Sequence, residues 1–210
     1  MVIRGKTPSV GLYERYLAYR IRRHQSEPPA QIALVITERD LLEQGAYGTL
    51  SAFFEWALSY ADAVTVYVSV LDPAAVPTLK RQLETLDTPR RVAVRGPDDQ
   101  EPADAPIQIG IGLGGKHEFT QAVRTLAAAV DEGHLEPEAI EADHVERHLV
   151  FPSEPDLVIK TGAERLSDFM IWQSVYSELY FTDVNWRDFR KRDFLRAVLE
   201  YCTRTRRFGR

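Results

Sequence analysis

Lys160, Thr161, Arg165 and Ser167 put two cations and two hydroxyls just beyond the apolar run Leu157–Ile159. A parallel strand ending there would hold them at its carboxyl edge, where α/β proteins place ligands. Cations with hydroxyl donors suit a phosphate or diphosphate. Glu178 follows among aromatics, in Trp172 to Trp186. A carboxylate in such surroundings needs a cation, a donor or a metal. The same pattern also fits a surface loop with a salt bridge.

Other constellations carry less chemistry. Gly110 to Gly115 matches G-x-G-x-x-G between a strand and a helix. It falls on the fourth strand, and no acid follows at the spacing a dinucleotide site needs. It therefore reads as a tight strand-to-helix turn. His144 and His148 share a helix face at i, i+4, but no third metal ligand is evident and they read as surface residues. Cys202 falls on an apolar helix face and reads as core. Trp172, Tyr176, Leu179, Tyr180 and Phe181 suit a core or a subunit interface.

These residues need a scaffold, and the apolar periodicity supplies one. Strands are expected over Gln31–Ile36, Val64–Val70, Val92–Val94, Ile107–Ile111 and Leu157–Ile159, with a sixth at Leu179–Phe181. Helices are expected from Val10 to His24, from a Thr49 cap through Leu58, from Asp72-Pro73 to near Leu86, and over Phe119–Val130. One or two short helices fit Leu135–Leu149. A last helix groups Phe194, Leu195, Val198, Leu199 and Cys202. Alternating strands and helices predict an α/β fold: a single domain spanning residues 1–210 with a largely parallel sheet of about six strands. Residues 1–9 read as a loose N-terminus and 204–210 as a basic tail.

Composition sets outer bounds. Hydrophobic residues make up 44% of the 210, enough for a sizeable core, and the net charge is −5. That charge argues against a broad basic surface for nucleic acid. A single cysteine excludes an intrachain disulfide framework. The N-terminus has no apolar signal core, and no run is long enough to span a bilayer. A cytoplasmic protein is expected. The face of the first helix with Glu14, Arg15, Arg22 and Arg23 reads as solvated, with peripheral contact to membrane headgroups as the alternative.

Three stretches together resemble the cis-prenyltransferases, the family of undecaprenyl and dehydrodolichyl diphosphate synthases. They are Asp156 to Gly162, Arg165 to Phe169, and Trp172 to Val184. The resemblance extends to Gly114-Gly115-Lys116-His117-Glu118-Phe119, to Glu55-Trp56-Ala57, to Val64–Tyr67 and to Arg207-Phe208-Gly209. It implies an undecaprenyl diphosphate synthase-like α/β fold with a hydrophobic tunnel, and a dimer. It also implies condensation of isopentenyl diphosphate with an allylic diphosphate, with Mg²⁺. By that resemblance Lys160, Arg165 and Ser167 bind diphosphate and Glu178 binds the metal. Arg207 and Gly209, in the R-x-G tail, act in the partner's site.

The chain also departs from the family pattern. Where the family carries D-G-N-G-R-W-A, with an Asp that binds Mg²⁺, this chain has Thr37-Glu38-Arg39-Asp40-Leu41-Leu42. Thr37 occupies the Asp position, and about eleven residues of phosphate loop are missing. Asp40 is the nearest substitute carboxylate. Ser69-Val70-Leu71-Asp72-Pro73 stands where the family has S-x-E-N-W, and Lys160 replaces an arginine. The leading expectation is a non-catalytic partner subunit of a heteromeric polyprenyl (undecaprenyl- or dolichyl-type) diphosphate synthase, weak or inactive alone. A self-sufficient homodimeric synthase and an isoprenoid-diphosphate binding protein are the alternatives.

Overall fold

β-Branched and aliphatic runs favour strands buried on both faces, which is the requirement of a parallel sheet. Gln31–Thr37 (β1) and Ala63–Ser69 (β2) each bury their five central residues. A computed structural model describes residues 11–99, 104–149, 154–162 and 172–204. Val92–Arg95 (β3), Ile107–Ile111 (β4), Leu157–Thr161 (β5) and Glu178–Thr182 (β6) complete the sheet. Its order is β3-β4-β2-β1-β5-β6, and every pairing is parallel. The expected six-stranded α/β fold is therefore present.

The helices are Leu12–Arg22 (α1), Glu38–Leu42 (α2), Ala46–Ala57 (α3), Val76–Glu84 (α4), Gly115–Asp131 (α5), Ala142–Glu146 (α6) and Lys191–Thr203 (α7). Two boundaries differ from expectation. Gly48 and Thr49 lie inside α3, whose N-cap is Gly45 at φ +85°. That left-handed conformation suits glycine, so the helix starts about one turn earlier than a Thr49 cap would require. Helix α5 starts at Gly115, directly on the glycine-rich turn.

Side chains alternate across the sheet and divide the core. Ile32, Leu34, Ile36, Val64, Val66, Val68, Ile107, Ile109, Ile111, Leu157 and Ile159 join the large cluster beneath α3 and α7. Phe53 is its centre, with Phe54, Trp186, Phe189 and Phe194 at ring distances of 5.7–6.3 Å. The Trp186 indole donates to the Ala46 carbonyl (3.2 Å), pinning the β6–α7 connection to the start of α3. Ala33, Val35, Tyr67, Leu113 and Val158 form a smaller cluster on the opposite face. Among the described residues, no helix is long and apolar enough to cross a membrane.

Candidate functional site

The sheet order places a topological switch between β1 and β5. The chain leaves β1 towards β2 on one side and reaches β5 on the other. Ligand crevices in open α/β sheets form outside the carboxyl ends at such a switch. Two of the sequence-predicted positions meet there. Val35 pairs with Lys160, so Thr37 ends β1 two residues beyond Lys160's level, and strand alternation puts both side chains on the smaller-cluster face.

Lys160 is 4% exposed, and its ammonium donates to the Thr161 carbonyl (2.8 Å). Burying an ammonium is costly unless it has a hydrogen-bonding or charged counterpart. Thr161 is also buried, and its hydroxyl has no hydrogen-bond partner. Gly162 follows at φ +75° and turns the chain out of β5, its amide bonded to the Val184 carbonyl. A buried cation at a strand end suits an anionic ligand, while strand alternation puts the Thr161 hydroxyl on the other face of the sheet. Arg165 and Ser167, the other predicted diphosphate contacts, lie outside the described residues, as do Arg207 and Gly209.

The β1 terminus is closed off. Thr37 N-caps α2, which begins at the very next residue. One Asp40 oxygen accepts both the Thr37 amide (2.7 Å) and the Thr37 hydroxyl (2.9 Å), and the Asp40 amide donates back to that hydroxyl (3.3 Å). This reciprocal cap satisfies amides the helix start would otherwise leave bare. It also commits Asp40 to the helix. Glu38 presents a buried carboxylate oxygen without a partner at the same edge. Sequence reading passed over Glu38, because nothing in its spacing distinguishes it from any first-turn acid.

Glu178 lies elsewhere. It opens β6 opposite Leu157, which in turn pairs with Ile32. Thr37 is five residues further along β1, roughly 16 Å away at the strand rise. The Glu178 carboxylate accepts from Arg204 Nη1 (3.0 Å). The same guanidinium reaches the Leu179 carbonyl (3.0 Å) and Glu200. Glu178, then Glu200, hold the Arg204 pKa above its ordinary value. Strand β6 ends the sheet, and near it Val175, Tyr176 and Phe181 are more than half exposed.

The remaining constellations resolve simply. Gly112 takes φ +66° in the turn before α5. His144 caps α6, its Nδ1 accepting from the Glu141 amide. Cys202 is buried, which raises its thiol pKa. Trp172 stacks on Phe119 at 5.8 Å and donates to Glu146. Gln173 and Glu118, both buried, hydrogen-bond at 3.3 Å.

The family model for undecaprenyl diphosphate synthase matches residues 90–209, more than half of the chain. The chain belongs to the cis-prenyltransferase family. The match begins at β3 and takes in β5, β6 and α7, leaving β1 and Thr37 outside it. A similar relative is the tritrans,polycis-undecaprenyl-diphosphate synthase (geranylgeranyl-diphosphate specific) of Methanocaldococcus jannaschii. It is 49% identical over 110 residues, covering 50% of this chain and 39% of the relative. Isoprenyl transferase 1 of Corynebacterium efficiens is 49% identical over 111 residues, covering 50% and 43%. The chain thus spans less than half the length of these two relatives. Lavandulyl diphosphate synthase from Lavandula x intermedia, solved with dimethylallyl diphosphate, shares the fold. Its TM-score is 0.72 at 24% identity, covering 87% of this chain and 99% of that one.

The family implies Mg²⁺, and the carboxylates nearest the β1 edge are those of Glu38 and Asp40. No three His, Cys, Asp or Glu among them lie close enough to hold a metal ion. Mg²⁺ asks for only one or two carboxylates beside phosphate oxygens and water. One Asp40 oxygen is engaged in the α2 cap and one Glu38 oxygen has no partner, whereas Glu178 faces Arg204 towards the other end of the sheet from Lys160.

Proposed function

We propose that this chain is the non-catalytic subunit of a heteromeric cis-prenyltransferase. Its partner is a homologous catalytic subunit that joins isopentenyl diphosphate to an allylic diphosphate, making a polyprenyl diphosphate. The observation that carries the reading is the β1–α2 junction. An allylic diphosphate needs amides and cations on a loop that closes over it. Here β1 runs into α2 with no intervening residue, and the Thr37 amide and hydroxyl both bond to one Asp40 oxygen.

The retained half has a coherent use. Lys160 sits at the switch point, where an isopentenyl diphosphate would meet it. The β6 edge, with Phe181 and Tyr176 exposed beside it, gives a partner an apolar strand to cover. Arg204, tied to Glu178, anchors the end of α7 against that edge. The R-x-G residues Arg207 and Gly209 follow three and five positions later in the sequence and would act in that partner's site. Mg²⁺ in such a complex would neutralise diphosphate charge.

Coexpression with a homologue that carries the intact D-G-N-G-R-W-A motif tests the reading. A stable heteromer is expected, with elongation of isopentenyl diphosphate that falls at least tenfold when Phe208–Arg210 are deleted here. No complex, or activity indifferent to that deletion, overturns it. A second reading is a self-sufficient homodimeric synthase, favoured by relatives whose names are those of synthases. It requires the purified chain alone to elongate geranylgeranyl diphosphate with Mg²⁺.

A further inference from the structure

Helix α1 buries Leu17 and Ile21 against the body and turns a different chemistry outward. At 100° per residue, Leu12, Arg15, Tyr16, Tyr19, Arg20 and Arg23 fall within an arc of about 140° opposite that buried pair. All six are exposed, Leu12 at 85%, Tyr16 at 50% and Tyr19 at 54%. The helix and its C-cap carry four arginines and one glutamate in a chain whose net charge is −5. Glu14, that one acid, lies towards the buried side and is half-buried.

The aromatic and cationic groups are paired in a repeating way. Arg20 donates to the Tyr16 hydroxyl (3.1 Å), and Arg23 to that of Tyr19 (3.0 Å), each guanidinium 5.8 Å from the ring it serves. Arg196 of α7 does the same for Tyr13, 3.3 Å from its hydroxyl and 5.3 Å from its ring. The rings are thereby held out along the surface, where a folded interior would have drawn them in. Beside them runs an open groove of about 950 Å³ between α1 and α7, in which Arg15, Arg22 and Lys191 outnumber Glu14 and Glu27.

We propose that this face of α1 docks on a membrane surface rich in anionic headgroups. The helix would lie flat, Leu12 and the tyrosine rings at the level of the headgroups, and the arginines on phosphate. Tyrosine favours that boundary because its ring is apolar and its tip polar. Arginine pairs planar with phosphate oxygens. A protein partner fits less well. The strip is six side chains on one helix about 16 Å long, where a stable protein interface engages roughly 20–30 residues per side. A bilayer sets no minimum footprint and supplies negative charge of one sign everywhere, matching a face free of acids. The inference stands apart from the catalytic or non-catalytic status of the chain.

Cosedimentation of the full 210-residue chain with phosphatidylcholine vesicles, with and without phosphatidylglycerol, tests it. Binding is expected only with phosphatidylglycerol, and it should weaken as salt screens the attraction. Arg20→Gln with Arg23→Gln should lower the partition coefficient about fivefold per arginine removed. Leu12→Ser with Tyr16→Ser and Tyr19→Ser should lower it at unchanged charge. Both variants alter exposed side chains, so thermal melts should match the parent and separate lost docking from lost folding. A chain ending at Arg204 must still bind, which removes the basic tail as the source. Equal binding to both vesicle types, parent-like binding by either variant, or binding lost with the tail overturns the proposal. So does a preference for a single-stranded RNA competitor over the vesicles.

Discussion

Returning a carboxylate to the end of β1 should unsettle this chain without making it a synthase. Thr37→Asp places an acid at the position that the proposed reading assigns to the family's Asp, but the Thr37 hydroxyl is a donor, 2.9 Å from Asp40. Replacing it loses that bond, about 1 kcal/mol. It also sets two carboxylates about 4 Å apart in partly buried surroundings, a repulsion of up to about 4 kcal/mol at an effective dielectric of 20. Rotation of the new side chain towards water relieves much of this, leaving a net cost of about 2–3 kcal/mol. For a chain of this size that lowers Tm by roughly 4–12 °C. Thr37→Asn is the control, since it keeps a capping side chain without the charge. The gap between the two variants should shrink as pH falls from 7 towards 4, because protonating either carboxyl removes the repulsion. Thermal melts across that range, with a radiolabelled isopentenyl diphosphate assay of each purified variant, make the measurement. An Asp variant as stable as the Asn variant, with elongation activity of its own, would refute the reasoning. It would mean that the junction can open and bind an allylic diphosphate after all.

Three further outcomes follow from the same geometry. Phe53→Ala removes the ring around which Phe54, Trp186, Phe189 and Phe194 pack. It should cost about 3–5 kcal/mol in urea unfolding, and a loss under 1 kcal/mol would mean the cluster collapses to fill the gap. Asp99 accepts from the Gly96 amide (2.8 Å) and Lys80 (2.7 Å), which hold its pKa below the usual carboxylate value. A depressed folded pKa stabilises the fold above the unfolded pKa and ceases to do so as pH falls through the folded one. Asp99→Asn should therefore lower Tm at pH 7 by an amount that shrinks as pH falls below the unfolded carboxylate range, and a loss that does not change with pH would argue against these contacts to the charged carboxylate. Glu178→Gln frees Arg204, but the arginine is over a third exposed, so stability should change by less than about 1 kcal/mol. Activity in the coexpressed complex should nevertheless drop, and a complex indifferent to the change would detach this pair from tail placement.

Much of the scaffold is legible in the linear pattern. The β1, β2, β4 and β5 runs are apolar at consecutive positions, as strands covered on both faces must be. Cys202 falls in register with the buried face of α7, and it is core. Helix α2 was not legible, because Glu38–Leu42 is only five residues long and exists through its cap, not through periodicity. The early start of α3 depends on Gly45 adopting a left-handed conformation, and composition alone does not locate that residue.

The amino acids themselves determined the family, through motifs contiguous in sequence, and set Thr37 at the end of β1. Pairing across strands decided the rest. Where the Asp40 carboxylate went was one such decision, and the fold sent one of its oxygens to Thr37. Lys160 and Glu178 are 18 residues apart in the chain and look like one site. Parallel pairing of β5 with β6 instead puts Lys160 near the carboxyl edge and Glu178 at the opposite end, because two parallel strands can meet only after the chain returns to the start. The face of α1 is the same kind of case. Its arginines and tyrosines stand in the sequence for anyone to count, but the packing of Leu17 and Ile21 decided that they look outward together.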